Sequence, residues 1–242
     1  MVFRHPTAQA LAVPRLTSCQ LLERWARSEP NRPALVWGPT EQVITYGQLW
    51  DTSGRVARAL QELGLEKGDR VMFLSPTCPQ VPVAFYGVLR AGGVAVPLSP
   101  LSRLPEVQRC LLDTGAQMVL ASKEWVSQLR EAGVASSVRY VLSLDELEEA
   151  SEPWQQPEPV ALDPEHDLAC ILYSSGTTGL PKGAALTHRN VVADLMAGRA
   201  VGFITERSRY VHFLPLCHCA GLLALLNAGV CPGACQGPVS YT

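Results

Sequence analysis

The sequence predicts an α/β fold in which parallel strands form βαβ layers that are covered by helices. Between residues 70 and 142, short strands rich in Val and Leu alternate with amphipathic helices. Such alternation indicates helical crossovers, which join parallel strands whose two faces are both buried. Another apolar strand, 168–173, leads directly into a loop of Gly, Ser and Thr. With 242 residues, 47% of them hydrophobic, the chain has ample material for a buried core.

Capping patterns and hydrophobic periodicity place the individual elements. Thr17 with Gln20, and Thr45 with Gln48, form capping-box patterns that each predict the first turn of a helix. Gly64 predicts the end of the second helix. The predicted strands are 34–37, 42–45, 70–75, 94–97, 117–121, 138–142, 168–173, 184–186 and 210–214. The predicted helices are one that carries Leu21, Leu22 and Trp25, a second from Thr45 to Gly64, and then 80–90, 105–112, 124–131, one beginning near His188, and 222–228.

Charge and proline content suggest how the chain is divided. From Tyr140 to Pro181 there is no Lys or Arg, but there are nine acidic residues and several prolines. This composition favours a solvated linker between two structural blocks, with an acidic docking surface as the alternative. The predicted organisation is an N-terminal tail 1–16, a partial domain 17–230 and a divergent tail 231–242. Within the domain, the first block is 17–142, the linker is 143–166 and the second block is 167–230.

Composition argues against several classes of protein. The net charge is −2, so the chain lacks the excess of Lys and Arg that is typical of nucleic-acid binding. No apolar run reaches the ~18 residues that a membrane helix needs. Eight cysteines in a chain without a secretory signal indicate reduced thiols and a cytoplasmic location. Mitochondrial targeting is an alternative, because residues 1–22 contain Arg4, His5 and Arg15 but no acidic residue. A peroxisomal location also stays open.

The loop from Ser174 to Gly183 carries the strongest chemical signal. It combines hydroxyl side chains, three glycines and one lysine directly after a buried strand. Glycine lets the backbone approach a ligand closely, and successive backbone N–H groups can then converge on an anion. Hydroxyl groups and an ammonium group add further donors for phosphate oxygens. The predicted phosphate-binding residues are Ser174, Ser175, Gly176, Thr177, Thr178, Gly179 and Lys182.

Two alternatives for this loop are weaker. Most Gly/Ser/Thr clusters are merely flexible polar loops, but this order of residues is unusually particular. An unrelated phosphate-binding protein such as a kinase is the other alternative. The loop does not match the Walker A pattern, because Lys182 follows Pro181 and Gly183 occupies the position of the magnesium-binding Ser or Thr.

The order SSGTTGLPKG at 174–183 resembles the signature loop of the adenylate-forming, AMP-binding superfamily. Within that superfamily it is most similar to acyl-CoA synthetases and 4-coumarate–CoA ligases. Other segments follow the order of the family, although Cys217 stands where Phe is usual. These segments are TYGQL at 45–49, KGDRV at 67–71, LRAGGVAVPL at 89–98, LTHRN at 186–190 and LPLCHCAG at 214–221.

The resemblance implies a ligase that activates a carboxylic acid with ATP and transfers it to coenzyme A. The carboxylate would attack the α-phosphate to give an acyl-adenylate and pyrophosphate, and the thiol would then displace AMP. The resemblance implies that the loop holds the β- and γ-phosphates and that Thr178 helps to place Mg²⁺. It implies a substrate-side catalytic role for His218, whose alternative is a structural histidine at a helix start. The segments YSSGTT at 173–178 and LTHRN at 186–190 favour fatty-acyl or aryl-propenoyl acids over the substrates of peptide synthetases.

Two further groups of residues have a possible role in binding. His188 and Arg189 either support phosphate or stabilise the start of the next helix, and the structural interpretation is favoured. Cys217, His218 and Cys219, together with His212, Cys231 and Cys235, suggest a zinc site only weakly, since adjacent residues seldom converge on one ion.

The sequence also departs from the family pattern. It contains no segment like the family's "YGxTE" and "TGD" motifs, which contact adenine, magnesium and ribose, and no C-terminal lysine domain. The stretch 231–242 is Gly/Pro-rich, and its sequence predicts no strand. The alternative function is therefore a non-catalytic fragment that binds, at most, nucleotide or a partner chain. Such a fragment would expose apolar surface and self-associate.

Overall fold

Two β-sheets organise the fold, which the computed structural model describes for residues 11–150, 156–174 and 181–238. The strands within these ranges are β1 (Pro33–Trp37), β2 (Gln42–Thr45), β3 (Arg70–Leu74), β4 (Val94–Pro97), β5 (Met118–Ala121), β6 (Tyr140–Ser143), β7 (Leu168–Ser174), β8 (Lys182–Thr187), β9 (Arg209–His212) and β10 (Cys235–Pro238). The helices are α1 (Ser18–Ser28), α2 (Tyr46–Glu62), α3 (Gln80–Arg90), α4 (Leu104–Thr114), α5 (Lys123–Glu131), α6 (Leu144–Ala150) and α7 (His188–Ala200). A 3₁₀ turn, Val134–Ser137, precedes β6, and the π-helical segment Ala220–Asn227 continues into α8 (Ala228–Val230).

The larger sheet has the strand order β6-β5-β3-β4-β7-β8. Its neighbours are parallel except for β7 and β8, which form an antiparallel hairpin. Side chains alternate between two cores, as expected for strands that are covered on both faces. Val71 and Phe73 join the core beneath α2 and α3, whereas Met72 and Leu74 join the core beneath α4 and α5. The predicted α/β architecture is confirmed, and the β7–β8 hairpin is its antiparallel exception.

The smaller sheet has the order β2-β1-β10-β9 and corrects one expectation. The sequence predicts no strand after residue 230, yet β10 pairs in parallel with both β1 and β9. The segment before β10 is fixed by contacts with distant residues. The hydroxyl of Tyr46 donates to the carbonyl of Ala234 at 2.8 Å, and Nε1 of Trp25 donates to the carbonyl of Cys231 at 3.1 Å. Because tertiary contacts hold this strand, local periodicity gives no signal for it.

Most predicted element boundaries agree with the structure. Both capping boxes form, and at α1 the Gln20 amide donates to Thr17 Oγ1 at 3.3 Å, while the Thr17 amide donates to Gln20 Oε1 at 2.8 Å. α3 and β4 occupy the predicted ranges 80–90 and 94–97. The predicted helix 222–228 is instead mainly π-helical. No helix of the described ranges is long and apolar enough to cross a membrane.

The predicted linker contains a helix that was not predicted. α6 begins with a capping pair in which the amide of Ser143 donates to Glu146 at 2.7 Å and the amide of Glu146 donates to Ser143 at 3.1 Å. Leu144 and Leu147 of α6 are buried. The Ser-x-x-Glu spacing is the local sequence signal for this helix. The division of the chain into domains stays a prediction.

Candidate functional site

The carboxyl ends of the parallel strands in the larger sheet lie along one edge. The strand order reverses at β3, because β4 lies on one side of it and β5 on the other. In open α/β sheets such a reversal leaves a crevice in which ligands bind. β7 is parallel to β4, with Cys170 opposite Ala95, so β7 also ends at this edge. The predicted phosphate loop and the crevice therefore belong to the same side of the sheet.

The predicted phosphate loop starts and ends on the β7–β8 hairpin. Ser174, the last residue of β7, pairs with Lys182, the first residue of β8, and both side chains are exposed. The structure thus brings together the two ends of the predicted site. The other predicted phosphate-binding residues lie outside the described residues, so their geometry stays a prediction; they are Ser175, Gly176, Thr177, Thr178 and Gly179.

Lys182 is well placed to meet an anion. In the part of the chain that the structure describes, ion pairs engage Lys67, with Asp167 at 2.7 Å, and Lys123, with Asp145 at 2.8 Å, but not Lys182. An exposed ammonium group that forms no ion pair with a carboxylate can bind an anionic ligand without first breaking such a pair. This position at the mouth of the hairpin suits the contact with phosphate that the sequence predicts.

A crevice of about 500 Å³ opens where the strand order reverses. It lies between the loops that follow β3, β4 and β5 and the segment around His218. Indole Nε1 of Trp125 donates to the carbonyl of Pro100 at 3.0 Å, which fixes the ring in the wall. Its apolar walls are formed by Pro76, Pro100, Leu101, Trp125, Pro215 and Leu216, and its polar side chains include Ser99, Glu124, Gln128 and His218. Apolar walls with a few polar groups are typical of sites for small organic ligands.

The backbone around His218 explains the placement of this side chain in the crevice. The amide of His218 donates to the carbonyl of Pro215 at 3.1 Å, and the carbonyl of His218 accepts from the amide of Leu222 at 2.8 Å. A Cβ atom on Gly221 would stand 2.1 Å from the carbonyl oxygen of Pro215, so only glycine permits this tight turn. His218 is thus both at the start of a helical segment and in the crevice wall. Its predicted catalytic role is compatible with this geometry and stays a prediction.

Cys217 shares the crevice wall with His218. Burial raises the pKa of the Cys217 thiol above its ordinary value. The thiol is therefore protonated at neutral pH and is a poor nucleophile there. Of the two side chains, the imidazole of His218 is the better group for hydrogen bonding to a substrate.

His188 and Arg189 have the structural roles that the sequence favours. His188 is buried at the start of α7, and its Nδ1 lies 3.2 Å from Oγ of Ser18 in α1. Burial lowers the pKa of His188 to about 4, so its ring is neutral at pH 7. Arg189 forms an ion pair with Glu165 at 3.5 Å. These contacts join α7 to other parts of the fold.

Zinc is not supported in the described part of the chain. There, no group of three or more His, Cys, Asp or Glu side chains is arranged to hold a metal ion. His212 is completely buried, whereas Cys219 is exposed, so the residues of the weak zinc pattern have unlike environments. All the cysteines lie in described ranges and are free thiols.

Sequence reasoning missed most of the crevice. Thr77 and Ser99 lie in the loops after β3 and β4, whereas Trp125 lies in the first turn of α5; the three are far apart in the chain and match no short motif. The available signal was position, because each residue follows the end of a predicted strand in a parallel sheet. Residues at such strand ends are the expected ligand contacts in open α/β sheets.

The family is decided by comparison with known proteins. The family model described as "AMP-binding enzyme" matches residues 22–241. The chain belongs to the AMP-binding enzyme family. This confirms the resemblance to adenylate-forming enzymes that the signature loop indicates, and the match extends through the stretch that contains β10.

Curated relatives of this family member are CoA ligases. The chain is 30% identical over 219 residues to 4-coumarate–CoA ligase 1 of Solanum tuberosum, covering 84% of this chain and 39% of that protein. It is 31% identical over 210 residues to long-chain-fatty-acid–CoA ligase FadD13 of Mycobacterium tuberculosis, covering 85% of this chain and 42% of that protein. The chain thus spans about two fifths of the length of these relatives.

Solved structures show the same fold. The inhibitor-bound N-terminal domain of FACL13 from Mycobacterium tuberculosis matches with a TM-score of 0.86 and 28% identity, over 93% of this chain and 57% of that one. ATP-bound MatB from Rhodopseudomonas palustris matches with a TM-score of 0.82 and 26% identity, over 92% of this chain and 45% of that one. The fold is therefore that of the N-terminal part of an adenylate-forming ligase.

Proposed function

We propose that this chain supplies the ATP-phosphate site and part of the acid site of an AMP-forming acid–thiol ligase. The observation that carries the proposal is the placement of Ser174 and Lys182, which face each other at the base of the signature loop. They stand at the same sheet edge as the crevice that contains His218. Family membership supplies the reaction class, and the relatives act on 4-coumarate or long-chain fatty acids.

In this proposal, donors from the protein hold the phosphates while the acid reacts. Lys182 and the hydroxyls of Ser174, Ser175, Thr177 and Thr178 bind the β- and γ-phosphate oxygens. Gly176 and Gly179 allow the backbone amides to approach these oxygens. Positioning and charge neutralisation are the main contributions that a protein makes to such a transfer. Thr178 adds a hydroxyl oxygen, a hard ligand that suits the Mg²⁺ accompanying ATP.

The crevice would receive the carboxylic acid. A carboxylate oxygen forms a bond to the α-phosphorus, and the bond from that phosphorus to pyrophosphate breaks. The sulfur of coenzyme A then attacks the acyl carbon, and AMP leaves with the electrons of the acyl–oxygen bond. His218 contacts the acid from the crevice wall, while Trp125 and Leu216 surround its apolar part.

Nucleotide binding without catalysis is the second candidate function. The relatives are more than twice as long as the matched region, so the chain alone can be a nucleotide-binding unit that completes no ligase cycle. Measuring ATP binding and ATP–pyrophosphate exchange separately tests the two functions. Binding together with exchange that depends on 4-coumarate or palmitate supports the ligase, whereas binding without exchange supports the second candidate.

Lys182→Ala is the direct test of the phosphate site. Removing a charge-assisted hydrogen bond costs roughly 1.5–3 kcal/mol, or about 10- to 100-fold in ATP affinity. Lys123→Ala is the matched control, because Lys123 is an exposed lysine that pairs with Asp145 away from the loop. Equal ATP affinity in Lys182→Ala and the unmodified chain would reject the proposed phosphate site. His218→Ala should lower acid-dependent exchange while ATP binding is retained.

Self-association and a cytoplasmic location stay proposals. Val211 and Phe213, on and just after β9, are 62% and 50% exposed, and β9 is an edge strand among the described strands. An exposed apolar edge is a template for pairing with another chain. Light scattering across a concentration series would detect this association, and a constant monomer mass would contradict it.

A further inference from the structure

Tyr173 lies immediately before Ser174, at the base of the signature loop. It pairs with Gly183 across the β7–β8 hairpin. A Cβ atom on Gly183 would stand 3.2 Å from Cζ of Tyr173 and 2.9 Å from Cγ2 of Ile171, so the tyrosine ring lies against this glycine. The side of the hairpin that carries Tyr173 is therefore filled by the aromatic ring.

The hydroxyl of Tyr173 donates a hydrogen bond to the carboxylate of Asp113 in the last turn of α4. The ring also packs against the core between the sheet and α4. Cys110 is a member of this core. Burial and this hydrogen bond both raise the pKa of Tyr173 above its ordinary value, so the phenol keeps its proton and remains a donor. One side chain thus connects the hairpin to a helix about sixty positions earlier in the chain.

The hairpin has few other anchors at this end. The β4–β7 ladder contains the pair Ala95–Cys170, and the later residues of β7 pair with β8 alone among the described strands. β8 is itself an edge strand, and its first four residues are exposed. The end of the hairpin that carries Ser174 and Lys182 therefore projects from the sheet, and the contact with Asp113 holds it to the body of the fold.

We propose that Tyr173 and Asp113 are positioning residues for the signature loop. By fixing the end of β7 against α4, they set where Ser174 and Lys182 stand when a triphosphate binds. This inference rests on the proposed function, because it assigns the pair a task in phosphate binding. The competing possibility is that the pair stabilises the hairpin without affecting the loop.

The test measures ATP binding in the presence of Mg²⁺ by titration calorimetry, alongside thermal unfolding. Tyr173→Phe keeps the ring and removes the hydroxyl, and Asp113→Ala removes the acceptor. We expect each to raise the Kd for ATP by about fivefold, as for the loss of one net hydrogen bond. Asp113→Asn keeps an acceptor oxygen and should restore most of the affinity. The double variant should be no weaker than either single variant, because the two residues form one contact.

Tyr140→Phe is the matched control, since Tyr140 is a half-buried tyrosine on β6 at the opposite edge of the sheet. A purely structural role would lower Tm in Tyr173→Phe while the Kd stays within twofold, and this result would overturn the proposal. Lys182→Ala distinguishes a failure of the positioning role from a failure of the proposed phosphate site. If Lys182→Ala also leaves the Kd unchanged, or if the unmodified chain binds no ATP, the proposed function fails first and the positioning role fails with it.

Discussion

The hydroxyl of Thr77 accepts a hydrogen bond from the backbone amide of Leu216 at 3.2 Å, although the two residues are 139 positions apart. Thr77 lies in the loop after β3, and Leu216 lies two residues before His218. Both are buried, with 9% and 3% of their surface exposed. This contact ties the segment that carries His218 to the carboxyl edge of the sheet, so it holds two walls of the crevice together.

Thr77→Val should loosen the segment around His218. The substitution keeps the shape of the side chain but leaves the buried amide of Leu216 without its acceptor, which costs about 1–3 kcal/mol of unfolding free energy. Urea unfolding measures this loss. Hydrogen exchange followed by mass spectrometry should show faster exchange in peptides that contain Leu216.

Thr114→Val is the control for this substitution. Thr114 is also 9% exposed, but its hydroxyl donates to the carbonyl of Cys110 within α4, away from the crevice. This variant should lose less stability, about 0.5–1.5 kcal/mol, and leave exchange at Leu216 unchanged. Equal exchange at Leu216 in both variants would contradict the role of Thr77.

The elements with local signals were predictable from sequence, and those held by distant contacts were not. Thr17 and Thr45 carry their capping partners three residues away, so both helix starts can be read from the chain. β10 lacks such a signal. Its place is set by pairing with β1 and β9, and by hydrogen bonds from Tyr46 and Trp25 to the residues that precede it in the chain. Secondary structure of this kind depends on tertiary context.

The candidate site divides in the same way. The signature loop is contiguous, so its order of residues was enough to indicate phosphate binding and the family. Thr77 enters the crevice from the loop after β3 and Trp125 from the start of α5, and their roles follow only from the strand order of the sheet. Tyr173 lies next to the loop in sequence, but its partner Asp113 lies on α4, so that contact required the fold as well.

Gly87 marks a close crossing of α2 and α3. A Cβ atom at Gly87 would stand 2.4 Å from Cγ1 of Val56, which is far inside van der Waals contact. Gly87→Ala should therefore lower the unfolding free energy by about 1–3 kcal/mol through overpacking. Gly198→Ala in α7 should raise the unfolding free energy by about 0.5–1 kcal/mol. A Cβ atom at Gly198 would meet no neighbouring side chain or segment within 4 Å, and alanine favours the helix. Urea unfolding of both variants tests the opposite signs, and a stabilising Gly87→Ala would contradict the tight helix contact.

The cysteines should differ widely in reactivity towards iodoacetamide. Burial raises the pKa of Cys19 and of Cys170 to about 12, whereas Cys219 is exposed. Because the thiolate is the reacting form, Cys19 and Cys170 should react at least about a hundredfold more slowly than Cys219 at pH 8. Peptide mapping by mass spectrometry gives the individual rates, and unfolding in urea should abolish the difference. Rapid labelling of Cys170 in the folded chain would contradict its packing beside β4.

His188 should make the stability depend on pH below neutrality. Burial lowers its pKa to about 4 in the folded chain, whereas an exposed histidine titrates near 6.5. Between pH 6.5 and 4, the unfolded chain therefore binds a proton that the folded chain does not. The unfolding free energy falls as pH falls through this window, by at most about 1.4 kcal/mol per pH unit from this group.

Comparing His188→Gln with His166→Gln isolates this effect. His166 is an exposed histidine outside the core, so His166→Gln controls for the replacement of a histidine by glutamine as such. Burial also lowers the pKa of His212, which gives every variant a further slope of the same sign. His188→Gln should therefore show a smaller slope than the unmodified chain, but not a zero slope. Unfolding curves in urea at intervals of half a pH unit would show this difference, and equal slopes would mean that His188 is accessible to protons in the folded chain.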